Sequence, residues 1–124
     1  MMRLIIISIT IMISMTNLAL PSNAIGNVNW QLLEENELGK EWLDLGSIKK
    51  INSNEISVLT KYYEKPSEIK EKGETSLYVM RINCEEKTFR DTSINGFPNL
   101  NSKWRTSNDD ELIDIVISKS CSEK

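Results

Sequence analysis

Glu55-Ile56-Ser57-Val58-Leu59-Thr60-Lys61-Tyr62-Tyr63-Glu64 decides how the rest of the chain is read. Ile, Val, Thr and paired tyrosines fill it, the composition of a β-strand. Side chains alternate along a strand, so Ile56, Val58, Thr60 and Tyr62 face one side and Ser57, Leu59, Lys61 and Tyr63 the other. The polar turn Asn52-Ser53-Asn54 precedes it. After it, the charged run from Lys65 to Glu74, closing on Gly73, reads as a long exposed loop.

Working outward from this strand, the residues from 28 to 36, with Trp30, Leu32 and Leu33, are expected to form a first strand, and those from 40 to 45 a second. Gly39 lies between them as a turn signal. Asp44-Leu45-Gly46-Ser47 then breaks the pattern, because an Asp carboxylate can accept backbone N–H groups a few residues on and Gly46 permits unusual backbone angles. Asp44 is accordingly read as a turn-maker and not as a catalytic acid. Downstream, residues 75 to 84 read as a fourth strand, with Tyr78, Met80, Ile82 and Cys84 on a buried face and Leu77, Val79, Arg81 and Asn83 opposite. Glu85-Glu86-Lys87 turns the chain into a fifth strand over residues 88 to 94, ended by Asn95-Gly96-Phe97-Pro98. Short connections between successive strands make an antiparallel meander the simplest topology.

The tail changes period. Leu112, Ile113, Val116, Ile117 and Cys121 recur at helical spacing. Ser107 with Asp110 resembles a capping box, and Asp109, Asp110 and Glu111 suit the positive end of a helix dipole. Against a helix stands the β-branched run Ile115-Val116-Ile117, which keeps a sixth strand as the alternative. The expected fold class is therefore α+β: a small antiparallel meander of about five strands, with a C-terminal helix on one face and one disulfide.

Residues 1–24 have the organisation of a cleavable signal peptide: Arg3, an apolar run from Leu4 to Met15, and Ser22 and Ala24 as small residues at −3 and −1. An uncleaved anchor is the weaker reading, since Ser8, Thr10, Ser14, Thr16 and Asn17 interrupt a stretch barely long enough to span a bilayer. The exported part is then residues 25–124, periplasmic or secreted, in an oxidising compartment where Cys84 and Cys121 can pair. No Cys-x-x-Cys arrangement points to a redox role. Of 15 basic side chains only Arg3 falls in the leader, so 14 face 18 acidic ones, a net charge of −4. That balance argues against nucleic acid as a partner.

The order of landmarks resembles the bacterial surface-adhesin protein E family. The likeness rests on Trp30 opening the domain, the stretch Trp42-Leu43-Asp44-Leu45-Gly46-Ser47-Ile48, the strand from Glu55 to Tyr63, Ser76 ahead of Tyr78 to Cys84, Phe89-Arg90, Gly96 and the late Cys121. It implies a small antiparallel sheet with a C-terminal helix pinned by the disulfide, and an exported protein. The family's namesake is a lipid-anchored, dimeric adhesin for host matrix proteins. This chain lacks a cysteine at the leader junction for such an anchor, and no ligand-binding segment can be matched residue by residue.

The absence of histidine removes the commonest metal ligand and the usual general base near neutral pH. Paired acids at Glu34-Glu35, Glu85-Glu86 and Asp109-Asp110 do not make a glycosidase site, because strand neighbours point to opposite faces. The cluster Asp109, Asp110, Glu111 and Asp114 lacks the alternating ligands and central Gly of an EF-hand, so helix-end charge accounts for it better than calcium. No catalytic residue, metal or cofactor is expected, and the chain reads as a non-enzyme. Trp30, Trp42 and Trp104 are expected in the core of so small a domain. About 100 residues leave little material to wall a cavity, so a protein partner or a second copy is expected on the sheet face bearing Leu77, Val79 and Arg81, or along an exposed strand edge, and not in a deep pocket. The function reading is a non-catalytic binding or adhesin-like module of the cell envelope; the alternative is a small periplasmic enzyme or enzyme inhibitor.

Overall fold

A computed structural model describes residues 27–124; the leader read over residues 1–24 lies outside the described residues. Six strands follow one another in the sheet in chain order, every neighbouring pair antiparallel. They are β1 (Trp30–Glu35), β2 (Gly39–Lys50), β3 (Glu55–Glu64), β4 (Glu74–Asn83), β5 (Thr88–Ile94) and β6 (Phe97–Pro98). A single helix, α1 (Glu111–Ser122), closes the chain. The α+β meander with a terminal helix is the expected fold, with one short strand more.

Period-two burial carries the core. On β3, Ile56, Val58 and Thr60 are buried, and β4 answers with Met80 and Ile82. Leu43 from β2 and Phe89 from β5 extend this face, and α1 covers it with Leu112, Val116 and Ile117. The helix decides between the two readings of the tail. Its β-branched run is tolerated because Val116 and Ile117 meet the sheet and a cap begins the first turn. The cap is Asp110, whose carboxylate accepts the N–H groups of Leu112 and Ile113 at 3.0 and 3.3 Å. Ser107 does not act as the cap; its hydroxyl donates to the Asp114 carboxylate. The distal end of α1 is tied to the end of β4 by the Cys84–Cys121 disulfide, with Cα atoms 5.7 Å apart.

Two local expectations change. The second strand does not end at Leu45; it runs on to Lys50 through an irregularity between Asp44 and Lys49. There side chains replace the missing ladder bonds. Asp44, buried, accepts the N–H groups of Asn29 and Gly46 at 2.8 and 2.9 Å. The Ser47 hydroxyl donates to the Asp44 carbonyl and accepts the N–H of Leu59. Asp44 therefore organises backbone, as expected, but inside a strand and not at a turn. Gly46 is required because a Cβ there would lie 1.9 Å from the Asn27 carbonyl oxygen. Asn95-Gly96, read as the end of the sheet, is instead a two-residue hairpin turn with both φ angles positive, 51° and 83°, which folds Phe97 and Pro98 back as β6.

Closing a loop with a sequence separation of 37 removes unfolded-chain entropy worth about 4 kcal/mol in the chain-entropy model. Cys121→Ser should thus lower the melting temperature by roughly 15 °C. Thiol titration of the denatured, unreduced wild type should find no free cysteine. Asp44→Ala should cost about 2 kcal/mol in urea denaturation, because two backbone donors lose their acceptor, whereas Asp44→Asn should retain most of the stability.

Candidate functional site

Strand alternation sets everything not facing α1 onto an outer face, and this face holds the residues expected to meet a partner. Leu77 lies opposite Lys61 and Val79 opposite Leu59, while Arg81 stands between Ser57 and Arg90. Leu77 is 40% exposed, and Val79 and Arg81 are half-buried. The Arg81 Nε lies 3.0 Å from Glu55 Oε1, and the same glutamate accepts from Asn52, which with Arg81 holds its carboxyl below the usual range.

The tryptophans are here too, which corrects their assignment to the core. Trp30 and Trp42 are half-buried and clasp the Lys61 ammonium, 4.5 and 4.7 Å from their ring centroids. Trp104 is 42% exposed and stacks on Arg90, 5.3 Å from the guanidinium carbon to the ring centroid. The physical reason is the register: Trp42 lies between the buried Glu41 and Leu43, and Arg90 between the buried Phe89 and Asp91, so both must point outward. Leu43, Ile56, Val58, Met80, Ile82 and Phe89 fill the core without them.

A second feature was not expected. Between the sheet and the N-terminal end of α1 lies a cavity of about 780 Å³, within the range of small-molecule sites. The expectation that so short a chain leaves little material to wall a cavity is corrected by this space. Twelve helical residues cover only part of the inner face, and the open part is roofed by the first turn of α1 and the segment before it. Glu41, Thr60, Tyr62, Tyr78, Asp91 and Arg105 bring polar groups to its lining, with Leu38, Ile94 and Ile113 among the apolar ones.

Glu41 is only 4% exposed, and among the described residues no Lys or Arg forms an ion pair with it. Burial, joined by the nearby carboxyls of Asp110 and Asp91 and opposed by a hydrogen bond with Thr60, pushes its pKa up to about 8. Asp91, 8% exposed, is also raised by burial, though Arg105 opposes the shift through a contact of 2.9 Å. The Arg105 guanidinium in turn lies over the Phe89 ring. The sequence held a signal for both acids. Glu41 is two residues from Leu43 and Asp91 two from Phe89, so each shares a face with a core residue. Among the described residues no group of three or more His, Cys, Asp or Glu side chains is placed to hold a metal ion.

A helix-clamped meander with an amphipathic outer face and a side cavity is the frame of a binding module. The model of the Surface adhesin-E family matches residues 31–124, and the chain belongs to that family. No curated protein and no solved structure matches the chain. Family membership fits an adhesin-like, non-catalytic role and an exported or surface location. Among the described residues no helix is long and apolar enough to cross a membrane.

The raised carboxyl makes a pH signature. Glu41 is protonated more readily folded than unfolded, so its contribution to stability is full below its ordinary value of 4.5 and is lost as the pH climbs toward about 8. Asp91 acts in the same direction. Calorimetry should show Glu41→Gln melting about 5 °C or more above wild type near pH 8 and close to it near pH 4. Parallel curves for the two proteins would show that Glu41 carries no such penalty.

Proposed function

We propose that this protein is an exported binding module of the cell envelope, periplasmic or secreted, and that it docks an acidic protein partner on its outer sheet face. One observation carries the reading: three tryptophans and two cations, Lys61 and Arg90, that form no ion pair among the described residues share a face that the core does not use. Tryptophan and arginine are the residue types most enriched at the energetic centres of interfaces. Leu77 and Val79 lie between the two cation–aromatic clusters and supply the apolar contact.

Charge selects the occupant. A two-fold pairing of this face with itself would bring Lys61 and Arg90 toward their own copies, a like-charge contact that works against a symmetric dimer. Carboxylates on a different protein would meet both cations favourably. The inner face carries the opposite charge and is occupied by α1, so it does not compete for the same partner.

Site-specific photo-crosslinking tests this in cells that export the protein. A photoreactive phenylalanine analogue at position 79 should give an adduct with another protein, joined through an acidic segment. The same analogue at Ile69, 94% exposed in the loop before β4, should give none. Lys61→Glu should abolish the adduct without lowering the melting temperature by more than about 1 kcal/mol equivalent, as expected of a surface change. An adduct of twice the monomer mass would replace the acidic partner with a second copy. No adduct at position 79 would overturn the docking surface.

A further inference from the structure

We propose that the cavity beside the N-terminal end of α1 binds an alkylammonium group, with the Glu41 carboxylate as its counter-ion. The site is separate from the outer face and does not depend on it.

The argument begins with Glu41. A buried carboxyl with no cation beside it is costly to the fold, and a Gln or an aliphatic residue would fill the same volume at lower cost. Glu41 nonetheless occupies a central position on β2, across from Tyr62, and its side chain lines the cavity. Five carboxyls contribute to the lining, those of Glu41, Asp91, Asp109, Asp110 and Glu111, against the single guanidinium of Arg105. That balance repels anions and attracts cations.

The shape of the charge selects among cations. Arg105 already holds Asp91, the carboxylate nearest to it. Asp110 is committed to the helix cap. Asp109 and Glu111 are exposed to water at the helix start, which leaves Glu41 as one buried carboxylate for one compact charge, an arrangement that suits an ammonium better than a planar guanidinium. The walls provide for the rest of the ligand. Tyr62 and Tyr78 present ring surface that tolerates a cation, while Leu38, Ile94 and Ile113 suit a chain of methylenes. A free small amine and a lysine side chain share this chemistry.

Proton linkage follows from the same group. A bound ammonium favours the ionised carboxylate, so binding expels the proton that burial holds on Glu41. The other titratable groups facing it are Tyr62 from β3, Tyr78 from β4, Asp91 with Arg105 at β5, and Asp109, Asp110 and Glu111 at the helix start. Glu41, whose pKa stands at about 8, gains its negative charge between neutral and alkaline pH.

Methyl chemical-shift titrations of the full purified protein test the proposal, read at Ile94 and Ile113. The probes are n-butylamine, 1,5-diaminopentane and Nα-acetyl-lysine methylamide, with n-butanol as the uncharged control. Near pH 9 the amines keep their protons, since their pKa lies at about 10 or above, and Glu41 is ionised, so binding should be tightest. Near pH 6 the affinity should fall by about tenfold or more. Glu41→Gln should lose the amine affinity near pH 9 by a similar factor and should no longer respond to pH, with core methyl shifts unchanged. Binding of the acetyl-lysine derivative alone would identify a lysine side chain as the ligand, and binding of the free amines alone a small metabolite. Butanol binding as tightly as butylamine, amine affinity retained by Glu41→Gln, or no shift with any amine would overturn the proposal.

Discussion

A single-layer sheet has two faces, and among the described residues there is one helix with which to cover them. The clamp of α1 onto the inner face, by Leu112, Val116 and Ile117 at its buried stripe and by the Cys84–Cys121 bond at its end, is the contact on which the rest depends. Without it, Leu43, Val58, Met80 and Ile82 would face water, and a domain this small has no other layer to replace the helix. The disulfide supplements that burial by restricting the unfolded chain, and it acts at the end of α1 farthest from the cap.

Both candidate sites arise from the incompleteness of this cover. Twelve residues of helix come closest to β1 and β2 and leave part of the inner face open, where the cavity forms over Glu41 and Asp91. The outer face receives no helix among the described residues. Its tryptophans are therefore partly exposed, although their area is reduced by packing against Lys61 and Arg90. A membership in a surface-adhesin family is consistent with such a surface, since adhesion needs contact area and does not need a reacting group.

The small net charge hides a partition by face. Lys61, Arg81 and Arg90 lie outside, partly balanced there by Glu55 and Asp44, while Glu41, Asp91, Asp109, Asp110 and Glu111 gather inside and at the helix start. Neighbours in sequence, such as Glu41 and Trp42 or Arg90 and Asp91, contribute to opposite surfaces because strand side chains alternate. Composition averages over the two faces, so it conveys neither. The acids at the cavity carry a stability cost that a purely structural core would avoid, which sets Glu41 apart from the other polar groups of the sheet.

Local sequence was enough for the meander, the exposed loop before β4, the alternation of β3 and β4, and the pairing of the only two cysteines, because each rests on periodicity or on elimination within short range. The period of two also puts Glu41 with Leu43 and Asp91 with Phe89, but nothing in those short stretches marks the shared faces as buried. Other features waited for the fold. That β2 continues past Asp44 depends on Asn29, Gly46 and Leu59 meeting the Asp44 and Ser47 side chains, and that the tail is helical depends on a sheet being present to bury Val116 and Ile117. The outward tryptophans and the cavity depend on which face the helix covers and how far it reaches. Sequence determined which residues share a face; only tertiary packing decided which face would be dry, because burial belongs to the pair of surfaces in contact and not to either strand alone.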